Sequence, residues 1–188
     1  WGQGAVASAA PQGLFRELSV HGDKACVISN GYTLQCWGNV GALAPPLGLS
    51  FEFVAVGAQH ICDVVAYPSR TLRCWGDNSQ GQLLAPAGGD YYRIDAHGAM
   101  TCAVSFSFAS SDIRMRCWGS RVLDERPPSL RTGMGTIAAG DQHTCTLQPF
   151  GGVSCWGDAS QGQRAAPTSR YRALDAYGDH ACVGNGAG

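Results

Sequence analysis

Apolar residues recur along this chain in pairs two positions apart: Leu18 and Val20, Val54 and Val56, Ile94 and Ala96, Ile137 and Ala139, Leu174 and Ala176. Each pair is followed by a glycine (Gly22, Gly57, Gly98, Gly140, Gly178). A cysteine then stands eight residues after the first member of the pair: Cys26, Cys62, Cys102, Cys145, Cys182. Eleven residues before these cysteines come Phe15, Phe51, Tyr91, Met134 and Tyr171, and 15 to 17 before them Pro11, Pro46, Pro86, Pro128 and Pro167. A spacing of two marks a strand with one buried face. No stretch sustains apolar residues at i, i+3, i+4 and i+7, so the pattern predicts strands and no helices.

A second series keeps the same period. Trp1-Gly2, Trp37-Gly38, Trp75-Gly76, Trp118-Gly119 and Trp156-Gly157 stand 36, 38, 43 and 38 residues apart. The last four follow Cys36, Cys74, Cys117 and Cys155, so two series account for all nine cysteines. Each unit reads as a proline turn, a strand ending at glycine, a strand bearing the first cysteine, a hairpin, and a strand bearing Cys-Trp-Gly. A polar turn (77–83 and 158–164 are the clearest) and a short outer strand are expected to follow. Short strands at even spacing with one Trp per unit of about 40 residues predict an all-β chain of propeller blades. Trp37, Trp75, Trp118 and Trp156 are the expected blade core. Stacked blades bury each other's faces, so the repeats fold as one unit. The expected periods are 1–36, 37–74, 75–117, 118–155 and an incomplete 156–188. That is four full periods plus two half blades, read as a fragment of a larger ring.

The string Val56-Gly57-Ala58-Gln59-His60-Ile61-Cys62, followed by Leu72-Arg73-Cys74-Trp75-Gly76-Asp77-Asn78-Ser79-Gln80-Gly81-Gln82-Leu83, resembles the regulator-of-chromosome-condensation repeat. The string 137–143 repeats its first part. The turns after Trp37 and Trp118 depart from the Gly-Gln pattern. Short repeats with a paired Cys and Cys-Trp-Gly are similar to the ectodomain repeats of plant Crinkly-type receptor kinases. The resemblance implies a β-propeller, an extracellular setting, and a ligand that is a peptide, protein or glycan.

Composition narrows the function classes. Formal net charge is −1, which gives no electrostatic basis for binding nucleic acid or an anionic membrane surface. No apolar run approaches the roughly 18–20 residues of a membrane-spanning helix, so no direct membrane insertion is expected. Nine cysteines in 188 residues point to disulfides and an oxidising compartment, or to metal sites. Within the repeats the cysteines are separated by 9, 11, 14 and 9 residues. The expected pairs are Cys26–Cys36, Cys62–Cys74, Cys102–Cys117 and Cys145–Cys155, each bridging neighbouring antiparallel strands. Cys182 is left unpaired in this chain. Structural zinc usually takes four ligands with cysteines two to four apart. These spacings are wider, and Lys24 and Met100 replace His60 and His143 at the position two before the Cys. Zinc and free thiols stay open as alternatives at this point.

The candidate active-site residues fall in the same registers. The histidines (His21, His60, His97, His143, His180) recur at equivalent positions, as a scaffold residue bonding to a neighbouring blade would. Catalysis needs different residues converging on one spot. Gly-x-Ser-x-Gly and phosphate-loop patterns are absent. Asp23, Asp141 and Asp179 beside glycine read as turn residues bonding their own backbone. The chain is therefore expected to be no enzyme, with no cofactor and no metal.

The repeats differ where they are informative. The spans between paired cysteines (27–35, 63–73, 103–116, 146–154) vary, whereas 25 to 27 residues separate each Trp from the next Cys. Insertions at one structural position fall on one face of a repeat array, where binding often occurs. Tyr67, Arg70, Phe106, Phe108, Asp112, Arg114 and Arg116 are the candidate binding-loop residues, because aromatics and Arg anchor interfaces. The expected function is a non-enzymatic extracellular recognition module. The alternative is a structural building block of an extracellular filament, wall or appendage that packs against copies of itself. A guanine-nucleotide-exchange-type propeller or an enzyme ranks third.

Overall fold

The computed structural model describes residues 10–40, 43, 48–107, 112–120 and 135–185, and they contain strands and no helix. Trp1, Pro46, Phe108, Pro128 and Met134 lie outside the described residues. Blade 1 is β1 (Phe15–His21), β2 (Lys24–Ser29) and β3 (Leu34–Gly38). Blade 2 is β4 (Phe51–Val56), β5 (His60–Val65) and β6 (Leu72–Gly76). Blade 3 is β7 (Asp90–His97), β8 (Met100–Ser107) and β9 (Asp112–Gly119). Blade 4 is β10 (Thr136–Ala139), β11 (His143–Leu147) and β12 (Val153–Gly157); β13 (Ala173–Tyr177) and β14 (His180–Gly184) form a two-stranded fifth sheet. Every sheet is antiparallel in chain order.

The apolar pairs two apart lie on the first strands, and those of blades 2, 3 and 4 pack against the preceding blade. Cys26 and Ile28 of blade 1 meet Phe51, Val54 and Val56 of blade 2. Cys62 and Val64 meet Ile94 and Ala96 of blade 3, and Cys102 and Val104 meet Ile137 and Ala139 of blade 4. Blade 1 has no such neighbour on its outward side among the described residues: Leu18 is 60% and Val20 52% exposed. Trp118 and Trp156 are buried, while Trp75 is partly buried against the blade 1–2 core and Trp37 is half-buried.

Each blade of three strands carries one disulfide between its second and third strands, with the cysteines directly opposed in register. The pairs are Cys26–Cys36, Cys62–Cys74, Cys102–Cys117 and Cys145–Cys155, with Cα–Cα distances of 4.1, 4.1, 4.0 and 4.1 Å. Cys182 is a free, exposed thiol.

The glycine of Cys-Trp-Gly has a definite task. Gly76 and Gly157 have φ of +114° and +102°, a region that L side chains rarely adopt. That turn aims the next N–H back across the sheet: Asp77 donates to Gln59 C=O and Asp158 to Gln142 C=O, both at 2.8 Å. A Cβ on Gly157 would stand 2.5 Å from Gln142 O and 2.9 Å from His143 Cα, both backbone. Gly162 has φ +83° but open space around it. Gly157→Ala is therefore expected to cost about 3 kcal/mol or more, from strain and overpacking together. Gly162→Ala should cost about 1 kcal/mol, from strain alone. Denaturant midpoints with disulfides intact check the difference; equal costs would refute the close backbone approach.

One expectation fails. Where the following segment is described, after Trp75 and Trp156, no outer strand forms: residues 77–89 and 158–172 are turns, bends and irregular chain. The polar side chains there satisfy the local backbone instead of leaving it to a ladder. Asp77 accepts from the Ser79 N–H (3.1 Å), Gln82 Oε1 from the Gln80 N–H (2.8 Å) and Asn78 Oδ1 from the Leu83 N–H (2.9 Å). Asp158 and Gln163 repeat the first two bonds. The folded turn then serves the next blade, for Gln82 C=O accepts the Trp118 indole N–H at 2.8 Å.

The joints between blades alternate. Out of blades 1 and 3, Ser19 Oγ accepts the Val56 N–H (3.0 Å) and Asp95 Oδ2 the Ala139 N–H (2.6 Å). Out of blades 2 and 4, the N–H groups of Ala58 and Asp141 donate to Gly98 and Gly178 C=O at 2.7 and 2.8 Å.

Candidate functional site

The β5–β6 and β8–β9 hairpins lie side by side, because blades 2 and 3 are adjacent and β7 bonds back to the first hairpin. The Tyr91 N–H donates to Arg70 C=O at 3.1 Å. The Arg70 guanidinium lies 4.7 Å over the Tyr92 ring and 3.2 Å from Glu52 Oε1. On the other side Tyr92 meets the Phe106 ring edge-on, with centroids 6.3 Å apart. Glu52, Arg70, Tyr92 and Phe106 thus form one continuous rim across two blades. Cation–π and edge-on aromatic contacts of this kind hold side chains in place at about 0.5–1.5 kcal/mol each.

Beside the rim is a concavity of about 640 Å³. Tyr91, Ser105 and Phe106 line it together with the 87–90 segment, and Arg114 and Arg116 form its wall on β9. Both arginines are exposed. Tyr91 is buried, and its hydroxyl donates to Pro86 C=O at 3.1 Å. The phenol is held above its ordinary pKa by burial, with Arg116 pulling the other way.

The candidate binding residues therefore fall into groups. Arg70 and Phe106 are joined through Tyr92, and Arg114 and Arg116 share the concavity. Tyr67 is 81% exposed on the first hairpin and does not line it. Asp112 is placed only as the first residue of β9. The sequence reading missed Tyr92 and Glu52. A comparison of repeats ten residues before the first cysteine would have shown them: that position holds Arg16, Glu52, Tyr92, Gly135 and Arg172, with one aromatic and one acid.

Three of the histidines, His21, His60 and His97, contact residues of other blades. His60 is fully buried, its Nε2 is 2.6 Å from Thr101 Oγ1 of the next blade, and burial pulls its pKa down to about 4. His21, His97 and Tyr177 converge from blades 1, 3 and 5, with centroids 4.6 Å (His21–His97) and 4.4 Å (His97–Tyr177) apart. His97 Nε2 accepts the Gly178 N–H at 3.2 Å. Asp141 departs from the expected turn role: its Oδ1 lies 3.2 Å from His97 Nε2. Among the described residues, no three His, Cys, Asp or Glu side chains are grouped to hold a metal ion.

Two carboxyls are withdrawn from water, Asp63 fully and Asp95 in part. Burial raises Asp95 to about 7, against the opposing pull of the Ala139 and Ala96 N–H groups. Asp63 is fully buried, and burial raises it well above the usual carboxylate range.

Stacked three-stranded antiparallel sheets, each stapled by a disulfide beside Cys-Trp-Gly, define the blades of a β-propeller. Solved structures of the same fold bear this out. The entire ectodomain of the Physcomitrella patens receptor kinase CR4 superposes with a TM-score of 0.71 at 24% identity, over 92% of this chain and 50% of that one. The CRINKLY WD40 ectodomain of the Arabidopsis thaliana receptor kinase ACR4 gives 0.72 at 20% identity, over 91% of this chain and 61% of that one. Prp20p from Saccharomyces cerevisiae gives 0.58 at 15% identity, over 86% and 53%. The chain thus spans about half to three fifths of the length of these structures, and the likeness is one of fold. No protein-family model matches the chain, and no curated protein does.

Proposed function

We propose that the chain is a non-enzymatic extracellular recognition module, binding a protein, peptide or glycan at the rim between blades 2 and 3. The observation that carries this reading is the Arg70–Tyr92–Phe106 rim lying beside a concavity that Phe106, Arg114 and Arg116 line. These residues vary between repeats, whereas the recurring His, Asp and Trp positions are used within and between blades. Two receptor ectodomains of the same fold support an extracellular setting, as do four disulfides.

The test is a peptide and glycan array probed with the oxidised protein. An array ligand should lose at least tenfold in affinity with Arg116→Ser, an exposed position in the concavity wall, while the melting temperature stays unchanged. Array ligands indifferent to rim variants would overturn the reading. The alternative reading as a building block draws on the uncovered Leu18–Val20 face of β1. Sedimentation should then show concentration-dependent assembly that Leu18→Asp abolishes; a monomer at all concentrations would dismiss it.

A further inference from the structure

We infer that the cavity between blade 4 and the fifth sheet is a receptor for an indole ring, and that its occupant is the tryptophan of a partner segment, an extended Cys-Trp-Gly strand lying beside β14. The inference stands apart from the rim reading above.

Three observations lead there. The first is the lining of the cavity. Its volume is about 200 Å³, and apolar cavities of about 150 Å³ already admit a benzene ring. Val153, Cys155, Gln163 and Ala166 line it from blade 4, and Leu174, Ala181 and Val183 from the fifth sheet. Trp118 sits in the same surroundings two blades back. It lies in one cluster with Ile94 and Ala103 of its own blade and with Leu72, Cys74 and Ala85 of blade 2, and Gln82 C=O accepts its N–H at 2.8 Å. Counted from the cysteines, Leu72, Cys74, Gln82 and Ala85 are the counterparts of Val153, Cys155, Gln163 and Ala166. Ile94 and Ala103 are likewise the counterparts of Leu174 and Val183. The cavity therefore has the lining of a tryptophan seat.

The second is a buried donor. Gln163 is only 7% exposed. Its Oε1 accepts the Gln161 N–H, but its Nε2 has no hydrogen-bond partner among the described residues. At the counterpart position Gln82 Nε2 donates to Asp77 Oδ2 at 3.0 Å. A buried donor without an acceptor is costly, and the electron-rich face of an indole is an acceptor for it.

The third is the register, which places the guest. In all four three-stranded blades the residue before the first cysteine stands opposite a tryptophan: Ala25 opposite Trp37, Ile61 opposite Trp75, Thr101 opposite Trp118 and Thr144 opposite Trp156. β14 pairs with β13 as in the other blades, with Cys182 opposite Asp175 just as Cys102 is opposite Asp95. A strand that continues this register beside β14 sets its Trp opposite Ala181, which lines the cavity. Its Cys then stands opposite Cys182, which is exposed and free. Among the described residues no strand pairs with that side of β14. Main-chain bonds along a strand edge and a pocket for one side chain are the two parts of recognition by strand addition.

The test uses the oxidised full chain and a synthetic peptide of the 151–158 sequence, whose cysteine carries thionitrobenzoate in a mixed disulfide. The Cys182 thiolate attacks the peptide's sulfur, the new S–S bond forms as the old one breaks, and thionitrobenzoate leaves with the electron pair as a coloured thiolate. Seating of the indole raises the effective concentration of that sulfur at Cys182. Colour release should be at least tenfold faster than with the same peptide carrying Ala for Trp, or with its Cys and Trp exchanged. Ala165→Trp, at an exposed residue lining the cavity, should remove the advantage with an unchanged melting temperature. Equal rates for the Trp and Ala peptides overturn the inference, as does an advantage that survives Ala165→Trp. An advantage that appears only with Trp1→Ala overturns the partner segment in favour of this chain's own Trp1-Gly2. Concentration-dependent dimers that the peptide disperses overturn it in favour of a second copy.

Discussion

Full reduction unfolds this protein at room temperature. Each disulfide closes a short loop, with sequence separations of 10, 12, 15 and 10 residues. In the chain-entropy account such loops contribute roughly 3 kcal/mol each, so the set contributes on the order of 10 kcal/mol. Domains of this size hold only about 5–15 kcal/mol in total. The blades cannot replace that from their cores, because each sheet has three strands or fewer and depends on its neighbours. Single-pair variants should fall in proportion: Cys62→Ala/Cys74→Ala is expected to lose about 3 kcal/mol. Far-UV and near-UV circular dichroism with and without reductant reads the outcome. A reduced chain that keeps its fluorescence and near-UV signals would contradict it.

The second large effect is on pH. Asp95 titrates near 7 in the folded chain and at its ordinary 3.8 when unfolded. The folded state therefore binds the proton more tightly. Its contribution is fully present below about pH 4 and is lost as pH rises through 7; a difference of this size is worth on the order of 4 kcal/mol. Asp63 acts in the same direction. His60 acts in the opposite one: held near 4 by burial, it contributes above its ordinary 6.5 and loses that contribution as pH falls towards 4. The two slopes oppose each other between about pH 4 and 7, which flattens the wild-type profile. Asp95→Asn separates them, since the amide oxygen can still accept the Ala139 N–H. Relative to wild type, this variant should gain on the order of 4 kcal/mol between pH 4 and pH 8. Urea unfolding at both pH values measures it, and parallel profiles for the two proteins would refute a neutral Asp95.

The fold was largely legible because a propeller repeats its physics. Trp-Gly recurs because the glycine must turn with positive φ against the backbone of the neighbouring strand. The apolar pairs recur because the first strands of blades 2, 3 and 4 are each covered by the blade before them. The outer strand was misread because a polar turn and a polar strand look alike in composition. The decision lay with Asp77, Asn78 and Gln82, whose side chains take the N–H groups that a ladder would have used. The alternating joints were also missed. Ser19 and Asp95 stand seven residues before their cysteines, where blades 2 and 4 have Ala55 and Ala138. That contrast appears only once alternate repeats are compared.

The candidate site was legible in part. Hairpin length and Arg content marked two loops that the structure places side by side, because variation within a repeat array is concentrated where the scaffold does not constrain it. What joins the loops is Tyr92 on β7, a first-strand residue in a position otherwise read as structural. Its role depends on the neighbouring hairpin reaching across, and sequence spacing within one repeat carries no information about that.

The four disulfides within blades require an oxidising compartment to form. Peptide mapping of the unreduced protein, isolated from its native source with thiols trapped at lysis, is the most direct measurement. The account predicts linked peptides for Cys26–Cys36, Cys62–Cys74, Cys102–Cys117 and Cys145–Cys155. Free thiols at Cys62 and Cys74, or a bond joining cysteines of different blades, would contradict it.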